Sequence, residues 1–170
     1  GAPPTPPYDN AGWTLAFQMG VEFDRILEPF SGPFERVSDW NVKPPAGTIA
    51  EVAGAVEIDR RQNDAFRAVN RLIAAGVPVH ANAESFLVSS SAATLSRLKS
   101  LVAPLGIRAR ASQGEITEGS PALRAPRIGL WDQYGGSMPS GWTRWILEQF
   151  EFPFSRIFAQ ELDAAQGGVR

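Results

Sequence analysis

VAGAVEIDRRQNDAFRAVNRLIAAGVPVHANAESFLVSSSAATLSRLKSLVAPLGIRARA, residues 52–111, alternates short apolar runs with two helical stripes, and this alternation sets the fold. Residues 52–58 suit a strand. Asn63 is placed to cap a helix over 64–75, where Phe66, Val69, Leu72 and Ile73 recur at helical spacing and Gly76 marks the stop. Residues 77–81 and 86–90 read as two further strands, with Pro78 favouring an edge or a strand start. Ser91 is placed to cap a second helix over 92–105, striped by Leu95, Leu98, Leu101, Val102 and Leu105, and Gly106 ends it before a last strand at 107–111. The order β-α-β-β-α-β predicts a ferredoxin-like module, two split βαβ halves with both helices on one sheet face.

Around this module the chain changes character. Residues 1–12 hold four prolines and read as an extended lead-in. Such a start suggests a piece of something longer or a mature end after processing. Val21, Phe23 and Arg25 alternate with Glu22, Asp24 and Ile26, which predicts a short strand near 21–27. Residues 28–48 are irregular in pattern, with Phe30, Phe34 and Trp40 as aromatic anchors onto a core. Residues 112–126 are a polar Gly- and Pro-containing boundary. Beyond it, 127–131 predicts a strand and 139–150 a helix with Trp142, Trp145, Ile146, Gln149 and Phe150 on its buried side. A strand over 155–158 completes a βαβ unit, which favours parallel pairing. The expected class is mixed α/β bordering on α+β: a lead-in (1–50), the βαββαβ module (51–121) and a βαβ unit of an open sheet (122–170).

Composition narrows the chemistry. A hydrophobic content of 44% supports a real core, and a net charge of −2 argues against a nucleic-acid surface. No apolar run approaches the roughly 20 residues that span a bilayer. There is no cysteine, so disulfides, thiolate metal sites and thiol nucleophiles are excluded. His80 is the sole imidazole. Zinc sites draw two or more ligands from His and Cys, so no zinc centre and no catalytic residue is assigned to this chain.

Several constellations carry weaker signals. The turn Asp132-Gln133-Tyr134-Gly135-Gly136-Ser137 precedes a helix N-terminus, where backbone N–H groups can receive a small anion or a peptide carboxylate. With Trp142 beside it, the candidate ligand residues are Asp132, Gln133, Gly135, Gly136, Ser137 and Trp142. The pattern is neither a dinucleotide fingerprint nor a phosphate-binding loop, and a plain βα connection is the simpler reading of it. Trp131, Trp142 and Trp145 suit packing against core or a neighbouring domain. His80 points outward if Val77, Val79 and Ala81 face the core, within reach of Glu84. A hydrolase built on His80 with a serine, or on Glu57 and Asp59, is a further alternative, though no serine sits in a nucleophile elbow. Glu57 and Asp59 share a strand face and otherwise suit a solvated strand edge, salt-bridged by Arg60 and Arg61 beyond them. Asn70, Arg67 and Arg71 on the first helix become hydrogen-bonding contacts if another domain packs there.

The segment GLWDQYGGSMPSGWTRWILEQFEFPF (residues 129–154) resembles a recurring stretch in the downstream part of large bacterial zinc carboxypeptidase-like proteins. TPPYDNAGWTLAFQMGVEF (5–23) looks like their join to the catalytic half, and RRQNDAFRAVNRLIAAG (60–76) like a strand–helix element of theirs. The resemblance implies a parent with an N-terminal carboxypeptidase A-like domain, whose zinc is held by an H-x-x-E pair and a later histidine. It also implies a class I glutamine amidotransferase-like α/β domain beginning near residue 127, and a secreted or periplasmic protein. This chain has no H-x-x-E, and it lacks the cysteine that amide transfer requires. The implied role is therefore an accessory, non-catalytic region that packs on the catalytic domain of the same polypeptide or recognises substrate, with zinc in that partner domain only.

Overall fold

The computed structural model describes residues 16, 21–39, 42–43, 45–50, 54–112, 114, 116–117 and 119–164. Trp13, Trp40 and residues 51–53 lie outside them. Two compact units divide the chain, Gly1–Val42 and Lys43–Arg170. In the first, residues 21–39 form no strand, which corrects the expectation for 21–27. Alternation alone cannot make a strand without a neighbour to take its backbone hydrogen bonds. Phe30 and Phe34 are largely exposed and meet each other edge to face at 5.5 Å, so the expected anchoring of these two rings in a core is not seen.

The second unit is mixed α/β. Its main sheet contains β1 (Thr48–Ile49), β2 (Ala55–Asp59), β3 (Val79–Ala81), β4 (Ser85–Ser89) and β5 (Arg108–Ala111), in the order β1-β5-β2-β4-β3. The β5-β2-β4-β3 pairs are all antiparallel, while β1 adds to β5 in parallel. Helices α1 (Asp64–Ala74) and α2 (Ala92–Leu105) follow β2 and β4. Each βαβ connection therefore spans one intervening strand, and the two interleave. The fifth strand, β1, was not expected.

One face of this sheet carries the core. Val56, Ile58, Val79, Phe86, Val88 and Ala109 alternate inward along their strands and meet Ala65, Ala68, Val69 and Leu72 of α1 and Leu98, Val102 and Leu105 of α2. The α2 cap is as expected: Ser91 Oγ accepts from Thr94 N at 3.3 Å, and Gly106 closes the helix in the left-handed region. The α1 start is not. Asn63 is itself helical in backbone angles and its side chain makes no cap bond. Neighbouring Asp59 and Gln62 organise the turn instead: Asp59 Oδ1 accepts from Arg61 N at 2.8 Å, and Gln62 exchanges two hydrogen bonds with the backbone of Arg108.

After an extended stretch, whose Leu123 N donates to Val79 O on the β3 edge at 2.7 Å, the chain forms β6 (Ile128–Trp131), α3 (Met138–Gln149), β7 (Phe154–Ile157) and the short α4 (Ala159–Asp163). Strands β6 and β7 pair in parallel, as the βαβ reading expected. No strand among the described residues joins them.

The α3–β7 turn is fastened to α1. Asn70 Nδ2 donates to Phe150 O at 2.8 Å, and Arg71 grips both Glu151 oxygens at 2.8 and 2.6 Å. Phe152 extends the aromatic contact of Phe66 with Phe86. Asn70 and Arg71 of the polar α1 face thus make hydrogen-bonding contacts, to a turn within the same compact unit. Glu151 closes α3 at a φ of 58°, with Phe152 N donating to Leu147 O and Glu151 N to Glu148 O. Glycine normally takes that position, and a side chain there is disfavoured by about 1–2 kcal/mol. The arginine pairing offsets this. Glu151→Ala keeps the backbone strain and loses the pair, so it is expected to destabilise by about 1 kcal/mol, whereas Glu151→Gly relieves the strain and is expected to be milder. Urea unfolding of the two variants checks the order.

Candidate functional site

The apolar stripe of α3 faces solvent. Met138, Trp142, Trp145 and Ile146 follow i, i+4, i+7, i+8 spacing on one side of the helix. Their exposures are 79%, 62%, 52% and 48%, while the buried side is marked by Ser140 and the half-buried Leu147 and Phe150. This corrects the sequence expectation that Trp142, Trp145 and Ile146 are the buried side. Periodicity identifies the stripe, and the two-stranded β6–β7 sheet is too small to cover it. The Trp142 and Trp145 rings contact each other edge to face at 6.1 Å, and Trp131 is half exposed at the end of β6. The stripe exposes on the order of 400 Å2, comparable with the largest patches on ordinary monomers, which are often functional.

The turn over 132–137 is built as a βα connection. Asp132 N donates to Ile157 O, Asp132 Oδ1 accepts from Gln133 N, and Gly136 N donates to Gln133 O. Gly135 and Gly136 take φ of 88° and 79°, which side chains disfavour. Gln133 Nε2 donates to Gly136 O, and Ser137 Oγ caps α3 by accepting from Ser140 N. The turn's own oxygens thus hold the N–H groups of Gln133, Gly136 and Ser140 that an anion would need. Trp142 lies on the exposed stripe.

The helix-free face of the main sheet gathers the remaining polar candidates. Glu57, Leu87 and His80 stand side by side on β2, β4 and β3. Glu57 Oε1 accepts from Ser85 Oγ at 2.6 Å and from Arg110 at 2.8 Å, and Asp59 is held by Arg61 at 2.7 Å. The carboxylates thus have arginine partners, as expected, although Arg110 rather than Arg60 supplies the second, and β2 lies between β5 and β4 rather than at the sheet edge expected. Arg60 instead lies over the Phe86 ring at 5.4 Å. His80 does face outward, but it makes no bond to Glu84, and its buried Nδ1 has no partner among the described residues. No group of three or more His, Asp or Glu among the described residues is arranged to hold a metal, and no helix among them is long and apolar enough to cross a membrane.

These contacts set a pH dependence. The Ser85 hydroxyl and the Arg110 guanidinium hold the Glu57 carboxyl below its ordinary range; Arg61 does the same for Asp59, and Arg71 for Glu151. Each folded pKa lies below its unfolded value. The stabilisation is therefore full above the ordinary carboxylate range of about 4 and is lost as pH falls through the depressed values. Thermal unfolding is expected to have a lower midpoint at about pH 3 than at pH 7, and Glu57→Gln to narrow that difference.

Sequence reasoning did not find Glu151, whose left-handed backbone has no residue-type signal, or Arg110, the cross-strand partner of Glu57 on the neighbouring β5. Compared with known proteins, the chain matches no family model, no curated protein and no solved structure.

Proposed function

We propose that the chain is an accessory, non-catalytic module that works by docking its α3 stripe onto a partner domain. The exposed row Met138-Trp142-Trp145-Ile146 carries this reading, because large aromatic side chains at the centre of a patch are what protein interfaces use as anchors. The resemblance to bacterial zinc carboxypeptidase-like proteins supplies the partner: the carboxypeptidase-type catalytic domain of the same polypeptide, secreted or periplasmic, with zinc bound there. Docking would position that domain or shape access of its peptide substrate. The ferredoxin-like reading of the main module and the amidotransferase-like reading of the βαβ unit belong to the same proposal. Consistent with a non-catalytic role, the acidic groups on the open face are held by arginines or a serine hydroxyl that keep them ionised.

Mixing the chain with a separately produced carboxypeptidase-type domain tests this. The expected result is a complex that Trp142→Glu with Trp145→Glu abolishes while the fold stays intact. Peptide cleavage by the purified chain alone, or equal binding by the double variant, overturns it.

A further inference from the structure

We infer that the outer edge of β6 is a self-association site, where a second copy of this chain pairs its own β6 in antiparallel register. The backbone of the strand defines that edge. Asp132 N donates to Ile157 O, and the β6–β7 register sets Gly129 beside Ser155 and Trp131 beside Ile157. Backbone polar groups alternate in direction along a strand, so those of Ile128 and Leu130 face β7 while those of Gly129 and Trp131 face outward. The outward N–H and C=O groups of Gly129 and Trp131 bond to no described residue. Such a row is a template for another strand.

The opposite edge of the pair is protected. Phe158 continues the outward side of β7, and both of its groups are taken at the start of α4: its N donates to Glu161 Oε2 and its O accepts from Glu161 N. Exposed Arg156 adds a charge on β7, which deters pairing. By contrast β6 reads Ile-Gly-Leu-Trp and carries no charge. Gly129 is exposed and Trp131 half exposed.

Three features make a second β6 the occupant. Residues 129 and 131 lie two apart, so antiparallel pairing of Gly129 with Trp131 of the second copy gives two hydrogen-bonded pairs about a two-fold axis. Their four bonds use every outward group of these residues in both copies. Gly129 has no side chain, and a Cβ there would run into Ile157 Cδ1. The indole of the second copy's Trp131 can therefore lie over Gly129 and against Ile157, an aromatic cover that suits an edge glycine. The third feature is charge. Arg127 precedes β6 and Asp132 follows it, and neither has an ion-pair partner among the described residues. Antiparallel pairing brings Arg127 of each copy to the Asp132 end of the other, whereas parallel pairing would align like charges.

The contact is small, so the dimer is weak, with a Kd on the order of 100 µM. Sedimentation velocity of the purified chain, from about 10 µM to about 1 mM, tests it. The sedimentation coefficient is expected to rise from the monomer value towards that of a dimer. Over the same range the Gly129 and Trp131 amides are expected to exchange more slowly, with the Leu130 amide, which faces β7, little changed. Trp131→Pro removes an outward N–H without breaking a β6–β7 bond, and is expected to weaken association about tenfold or more. Arg127→Glu leaves β6 itself intact, is expected to weaken association severalfold, and decides the matter if the proline variant does not fold. Trp142→Glu with Trp145→Glu, on the α3 stripe, is expected to associate as the parent does. The proposal is overturned if the chain stays monomeric throughout, if the folded β6-edge variants associate as the parent does, or if the α3 double variant abolishes association.

Discussion

Gly47→Ala is expected to strip β1 from the sheet. A Cβ at Gly47 would stand far inside contact distance of the Val102 carbonyl and of the Ile107 carbonyl and amide. All of these are backbone atoms, fixed by the end of α2 and the start of β5, so no side-chain rotation relieves the clash. Either α2 moves away from the sheet or the strand leaves, with a loss of about 3 kcal/mol or more. Departure of the strand breaks the bonds from Gly47 N to Ala103 O, Thr48 N to Ile107 O and Ala50 N to Ala109 O. Hydrogen exchange reads the outcome: Thr48 and Ala50 amides lose protection while the β2–β4 ladder keeps it. Gly129 offers the control. A Cβ there meets the end of the Ile157 side chain, which can turn aside, so Gly129→Ala is expected to lose only about 1 kcal/mol.

Leu72→Ala is expected to be comparably damaging for a different reason. Leu72 is fully buried on α1, in one cluster with Val56 and Ile58 of β2 and Leu98 of α2. Removing its branch loses apolar burial and leaves a cavity that two helices and a sheet cannot collapse around. The expected loss is about 3 kcal/mol, within the 2–5 kcal/mol range for such truncations. Folded domains hold about 5–15 kcal/mol in total, so the variant should unfold at clearly lower urea. Leu123→Ala, at a partly exposed position on the extended stretch, is expected to change the midpoint little.

The module over 55–111 was legible because its signals are local and agree. Ser91, the leucine stripe and Gly106 delimit α2 at the residues observed, and the four strands fall within a few residues of their expected places. What was not legible depends on distant partners. β1 is two residues long, and it is a strand only because β5 lies beside it. Asn63 has the composition of a cap, yet Asp59 and Gln62 hold the turn through contacts that its own spacing cannot reveal. The α3 stripe shows the limit most directly. The spacing of Trp142, Trp145 and Ile146 identifies the apolar side of the helix but does not say whether anything covers it.

The account depends most on the uncovered α3 face being an interface. Oxidative footprinting of Trp142 and Trp145, first in the chain alone and then with the carboxypeptidase-type domain, measures this directly. Ready modification alone and strong protection in the mixture is the predicted result. Equal modification in both states, with the domains shown to be folded, would contradict it.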